Sequence, residues 1–493
     1  MTEKVSDYQQ PLYFTPTTDL SFQLSKTATE VTATLKVVAN DSLVIDTLPD
    51  IELNGHKSTV IKSMEINEVK LTYGVDYYTK PDGDFIKLII PNKFGKDFEI
   101  KQVVEVNPAA NTSNEGLYIS DGAVITQNEA QGFRRIIFSV DRPDNLSIYT
   151  TTVEADKQEF PVLLSNGNQL DIEQPDDETR HRAKYIDPFP KPTYLFALCC
   201  GQYFDKKIKY TSNPSGHEKF LQVFAPLTEK PENLNFALDI ALKMMRWLEV
   251  VYGIELDLDE YKIVGASVFN AGAMENKGLN VFSASDVFLD PSFSTDANYR
   301  RVLTVISHEI AHNWAGNRVT VRDWSQLSLK EGLATHTEQQ FHRAMLGQEA
   351  ARIADVLTIR DSQFPQDASK LAHPVHPKEY ESITNFYTNT IYEKGSELLQ
   401  TLEELLGKDV FIEAIKQYFK EFDGNQPSTT GHFSTGVTIE QFIASIGKTA
   451  GRDLSQFLHW YDYAGTPELT ITEHYDPIAK TYSLTISQFC PPT

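Results

Sequence analysis

Cysteine is nearly missing from this 493-residue chain, which has only Cys199, Cys200 and Cys490. Three thiols build no disulfide framework, and the neighbours Cys199 and Cys200 are poorly placed to bridge each other, so a reducing compartment is expected. Long hydrophobic runs are missing too. No stretch approaches the roughly 18 apolar residues of a transmembrane span, and Met1 to Phe14 lacks the basic start and apolar core of a secretory signal. The chain therefore reads as cytoplasmic, with no membrane partner. Basic charge is scarce: 45 Lys and Arg face 68 Asp and Glu, a formal net charge of -23. A surface so anionic repels phosphate, which excludes nucleic acid as a partner and weakly favours cationic or amine-bearing ligands.

What is present describes an ordinary globular protein, 41% hydrophobic and 23% charged. The length calls for two or three domains. The first two hundred residues carry antiparallel β patterns. Residues 30–37 and 146–149 alternate polar and apolar, and Asn166-Gly167 reads as a hairpin turn. Helical patterns are scarce until after Tyr203, where Pro231-Glu232-Asn233 leads into Leu234, Leu238, Ala241, Leu242, Met245 and Leu248, an apolar stripe at helical spacing. Helices are expected to dominate from there to about Tyr463, with Asp409 capping a helix over 410–422 and Thr438 to Gln441 forming a capping box. Between these two helices, residues 423–437 read as a long polar loop. Strand patterns return at 468–472 and 482–486 around the turn-prone Tyr475-Asp476-Pro477, too little to make a domain alone. The expected division is an N-terminal β domain (1–203), a catalytic domain (204–464) and the beginning of a β domain (465–493).

Chemistry enters at His308-Glu309-Ile310-Ala311-His312, with Glu331 nineteen residues after His312. On a helix, positions i and i+4 share a face, so His308 and His312 can present two imidazole nitrogens to one metal ion, with Glu309 beside it. A carboxylate from a second helix, Glu331, completes three protein ligands and leaves the fourth position of a tetrahedral Zn²⁺ open for water. Apolar residues over 302–306 supply the first helix, and residues 326–329 the short link to the second. Metal-assisted hydrolysis is the class of reaction. About thirty residues upstream, the small residues of Gly272-Ala273-Met274-Glu275-Asn276 suit a strand closely approached by another chain, with Glu275 as an anionic partner.

Together these segments resemble the aminopeptidase N family of gluzincin zinc metallopeptidases, the bacterial-type alanyl aminopeptidases. The likeness extends through Gln127 to Arg135, Asp187 to Pro192, His312 to Arg318 and Asn385 to Gly395. It implies a multidomain α+β fold: an N-terminal antiparallel β domain, a thermolysin-like, mainly helical catalytic domain, and the start of a small β domain. It also implies one zinc ion held by His308, His312 and Glu331, with Glu309 as general base and Tyr392 as donor to the oxyanion. Glu129 and Glu275 would hold the free α-ammonium of a peptide. Crowded carboxylates need a cation, and their fixed distance from zinc restricts cleavage to the first peptide bond. Gln127, Ala271, Gly272, Ala273, Met274 and Tyr387 join them in the substrate-binding set, and Lys330 takes a place outside the metal ligands.

The resemblance thus implies a monomeric zinc aminopeptidase of broad specificity acting on peptides with a free N-terminus. Ala271 replaces a methionine usual in the first side-chain pocket, Ala311 replaces an aromatic residue within the zinc helix, and the 423–437 loop is longer than usual. Members of the family continue through a β domain and a large helical domain, so the chain is expected to be truncated at its C-terminus. The competing readings are a zinc endopeptidase, which needs no amine clamp, and a catalytically impaired fragment or noncatalytic peptide-binding module.

Overall fold

The computed structural model describes residues 2–40, 49–83, 85–424 and 436–490. Two compact units divide the chain. The larger comprises Gln9–Trp324 with Ile412–Thr438, and the smaller Met1–Tyr8, Ser325–Phe411 and Ile439–Thr493.

In the larger unit, an eight-stranded sheet runs in the order Asn168–Leu170, Arg180–Lys191, Ser147–Asp156, Tyr13–Gln23, Thr29–Ala39, Asp97–Val106, Val60–Ile66, Val69–Lys70. Its neighbours are antiparallel except Ser147–Asp156 with Tyr13–Gln23. The polar-apolar alternation does what period-2 geometry requires: Val31, Ala33, Leu35 and Val37 all point into a core shared with Phe22, Ile100, Val104, Phe133 and Phe196. A four-stranded sheet, in the order Gly116–Ser120, Ala123–Gln127, Leu198–Gly201, Val162–Ser165, carries Gln127 at the end of a strand.

The Asn166-Gly167 hairpin expectation is corrected. Strand Val162–Ser165 pairs with Leu198–Gly201, whereas Asn168–Leu170 pairs with Arg180–Lys191, so the dipeptide hands the chain from one sheet to another. Gly167 has φ 87°, and a Cβ there would lie 2.1 Å from the Ile186 carbonyl oxygen. Asn166 is buried, with Nδ2 donating to the carbonyls of Leu195 and Lys277.

Helices do not stand alone after Tyr203. Tyr203–Thr211, Glu218–Pro226, Glu260–Ala266, Leu279–Ser283 and Ala273–Met274 form a five-stranded sheet in that order. Glu218–Pro226, Glu260–Ala266 and Leu279–Ser283 are mutually parallel, and α1 (Leu234–Tyr252) makes the crossover between the first two. The anticipated stripe of α1 is buried at Leu234, Leu238, Ala241, Met245 and Leu248, and the helix ends at Gly253, φ 67°, whose N–H donates to Glu249 O. Helix α2 (Asp296–Ala311) starts from a capping box between Thr295 and Asn298.

The smaller unit is built on α3 (Ser328–Leu346), buried along nearly its whole length and packed against helix Gly395–Leu406. Helix Lys408–Glu421, whose residues from Ile412 onward belong to the larger unit, begins one residue before Asp409, which therefore lies in its first turn and does not cap it. Helix Ile439–Ala450 starts directly after Thr438. Most of the anticipated 423–437 loop lies outside the described residues. Strands Glu468–Asp476 and Thr481–Phe489 pair only with each other among the described residues and are exposed on both faces.

Candidate active site

Helix α2 delivers the two histidines at its last turn, His312 being the residue that closes it. Their Nε2 atoms face each other at 3.0 Å. His312 Nδ1 lies 2.7 Å from the Ala315 carbonyl oxygen, which can only accept, so Nδ1 carries the proton and Nε2 keeps its lone pair. Two nitrogens at ~2.0 Å from a tetrahedral zinc ion stand roughly 3.3 Å apart, and the pair therefore fits a metal that takes imidazole ligands. Ala311, off this face, is buried.

Glu309 is buried on the same turn. Beneath it, the Tyr261 hydroxyl donates to Asn280 Oδ1 and lies 3.5 Å from the Glu309 carbonyl oxygen, while Asn280 Nδ2 donates to Asn276 O at 3.0 Å. Burial, and then the charges of Glu309 and Glu275, push the Tyr261 phenol far above its ordinary range. Tyr261 thus stays a neutral donor under two carboxylates. The sequence reading missed both Tyr261 and Asn280.

The segment Ala273–Met274 is an edge strand: Ala273 pairs with Phe282 and Met274 with Val281, and Glu275 follows, buried. Ala271 is exposed, and a Cβ at Gly272 would lie 2.6 Å from Arg301 Nη2. Across from this strand, Gln127 Nε2 lies 3.6 Å from Met274 Sδ. Carboxylate oxygens of Glu129 and Glu275 lie within 4.8 Å of one another. Glu129 sits in a tight turn where Gly132 N donates to Asn128 O at 2.8 Å, and a Cβ at Gly132 would stand 2.3 Å from Gln127 O. The rest of that motif is an anchor. Phe133 is fully buried against the Phe196 and Tyr149 rings, and Arg134 Nε donates to Asp141 Oδ2 at 2.7 Å.

In the smaller unit, Glu331 occupies the first turn of α3 and is buried; Lys330 Nζ donates to its Oε1 at 2.6 Å. Tyr392 lies in a π-helical turn, Thr390–Lys394, that runs into helix Gly395–Leu406, and Tyr387 is exposed just before it. Turn and helix are locked together. A Cβ at Gly332 would stand 3.1 Å from the Gly395 carbonyl carbon, and Ser328 Oγ donates to Ile391 O at 2.9 Å. The structure therefore brings together His308, Glu309, His312, Gln127, Glu129, Met274 and Glu275 in one unit, and Lys330, Glu331 and Tyr392 in the other.

Residues 10–195 match the Peptidase M1 N-terminal domain and residues 236–461 the Peptidase family M1 domain. The chain belongs to peptidase family M1. Similar M1 relatives include aminopeptidase N of Haemophilus influenzae, 40% identical over 99% of this chain and 53% of that protein. Aminopeptidase N of Escherichia coli is 39% identical, again over 99% of this chain and 53% of that protein. Among solved structures, Legionella pneumophila aminopeptidase A in complex with aspartic acid superposes with a TM-score of 0.88 at 31% identity, covering 99% of this chain and 54% of that one. The chain thus spans about half the length of the relatives it matches. The multidomain α+β fold agrees with the sequence expectation, and M1 aminopeptidases are zinc metallopeptidases in general. No helix among the described residues is long and apolar enough to cross a membrane.

Proposed function

We propose that the chain is a zinc-dependent aminopeptidase that hydrolyses the first peptide bond of peptides with a free N-terminus, releasing one residue at a time with broad specificity for small, apolar or basic first residues. The observation that carries this reading is the proximity of the Glu129 and Glu275 carboxylates, in the unit that also presents the two histidines. Two carboxylates that close repel unless a cation lies between them, and a peptide α-ammonium is such a cation. The family supports the enzyme over a noncatalytic peptide-binding module.

In this reading His308, His312 and Glu331 hold a single zinc ion, as the family resemblance implies. Bound there, zinc supplies Lewis-acid polarisation of the scissile carbonyl. Glu129, Glu275 and Gln127 hold the α-ammonium, and the edge strand from Gly272 through Ala273 to Met274 receives the substrate backbone. Ala271 lines the pocket for the first side chain, and Tyr387 belongs to the substrate-binding residues. Glu309 takes the proton of the attacking water and returns it to the leaving amine, while the Tyr392 hydroxyl donates to the oxyanion. Lys330 steadies the Glu331 carboxylate. The proposal includes the 1–203, 204–464 and 465–493 division, a monomer, and a cytoplasmic setting.

Glu309→Gln tests it. Zinc content by atomic absorption is expected to match the wild type, while turnover of alanine 4-nitroanilide falls by about 10²- to 10⁴-fold, the range of a positioned general base. Unchanged turnover would remove Glu309, and with it this mechanism.

A further inference from the structure

The end of the histidine-bearing helix and the amine clamp are tied together by one side chain. After α2 the chain folds back on itself: Asn317 N donates to His312 O at 3.1 Å, and Gly316 N reaches Val319 O at 2.9 Å. Gly316 has φ 114°, a conformation that favours glycine. This turn buries Asn317, and its Nδ2 donates to the main-chain oxygen of Glu275 at 2.8 Å. The ladder of the edge strand stops at Met274, one residue short of Glu275. Asn317 therefore grips the main chain of His312 with its own N–H and that of Glu275 with its amide.

We infer that Asn317 is a positioning residue that fixes the spacing between the His312 imidazole and the Glu275 carboxylate, and so sets which peptide bond the enzyme can reach. The inference rests on the amine-clamp reading above. The residue type matters because a short, neutral side chain with a planar donor is required. Aspartate sets a carboxylate against the Glu275 carbonyl oxygen, alanine leaves that buried carbonyl without this donor, and glutamine adds a methylene in a packed interior.

Asn317→Asp, which keeps the side-chain volume, and Asn317→Ser are compared with the wild type in zinc content, in inhibition by n-butylamine, and in inhibition by acetohydroxamic acid. The bare amine probes the clamp and the hydroxamate probes the metal. Inhibition by n-butylamine is expected to weaken about tenfold, on the order of one buried hydrogen bond, with hydroxamate inhibition and zinc content unchanged. In a Glu275→Ala background, Asn317→Asp should add no further loss, because the two residues act as one unit. Three results overturn the inference: unchanged n-butylamine inhibition, equal weakening of both inhibitors, or failure of both variants to fold with zinc bound, since each marks Asn317 as inert or merely structural. A wild type that n-butylamine does not inhibit refutes the amine clamp itself, a separate and distinguishable failure.

Discussion

Asp187 and Lys191 form an ion pair at 2.9 Å, with both side chains fully buried and Lys191 Nζ 4.1 Å from the centroid of the Tyr149 ring. Burial pulls the lysine down to about 8 from its ordinary 10.5, although Asp187 attracts its proton. Asp187→Asn keeps the volume and removes the anion, leaving an uncompensated buried ammonium, which costs about 3–5 kcal/mol near pH 7. The pH dependence carries a definite sign. Between about pH 8 and 10.5 the unfolded chain binds more protons at this lysine than the folded one, so stability rises with pH, by about 3 kcal/mol for this group, and is flat below about 8. Without Asp187 the folded lysine loses its proton at lower pH, so the rise starts earlier. The deficit of Asp187→Asn should therefore narrow as pH is raised from about 6 to 8. Urea unfolding followed by circular dichroism measures it. A deficit below about 1 kcal/mol, or one that widens with pH, would refute this view of the pair.

On the proposed mechanism Tyr392 is the oxyanion donor, so Tyr392→Phe should lower kcat on alanine 4-nitroanilide by about 10²-fold with KM little changed; an unaltered kcat would take Tyr392 out of the mechanism. Gly332→Ala puts a Cβ 2.7 Å from Ser328 Oγ and 3.1 Å from the Gly395 carbonyl carbon, wedging α3 away from the Tyr392 turn. The expected cost is about 1–3 kcal/mol in stability, read by urea unfolding, together with a fall in kcat; wild-type values for both would show that the close contact is not needed.

Much of the candidate site was legible because the chemistry proposed for it depends on local spacing. His308 and His312 share a helical face whatever surrounds them, and Val31 to Val37 alternate because one side of their strand is buried. The five-stranded sheet was not legible. Glu260–Ala266 is buried on both faces, as expected of a strand with parallel neighbours, and so carries no alternation to read. Asn166-Gly167 has hairpin chemistry, yet which strands flank a turn is decided by pairing with segments further along the chain, at Leu198–Gly201 and Arg180–Lys191. Tyr261 and Asn280 escaped notice because a buried tyrosine and asparagine carry no spacing signature, and the contact of Tyr261 with the Glu309 carbonyl exists only once the sheet meets the helix.

The central claim, removal of single residues from a free amino end, is tested most directly by mass spectrometry of one peptide digested by the zinc-loaded chain beside its N-acetylated twin. The expected result is a ladder losing one residue at a time from the amino end of the free peptide and no change in the blocked one. Internal fragments, or equal digestion of both peptides, would contradict it.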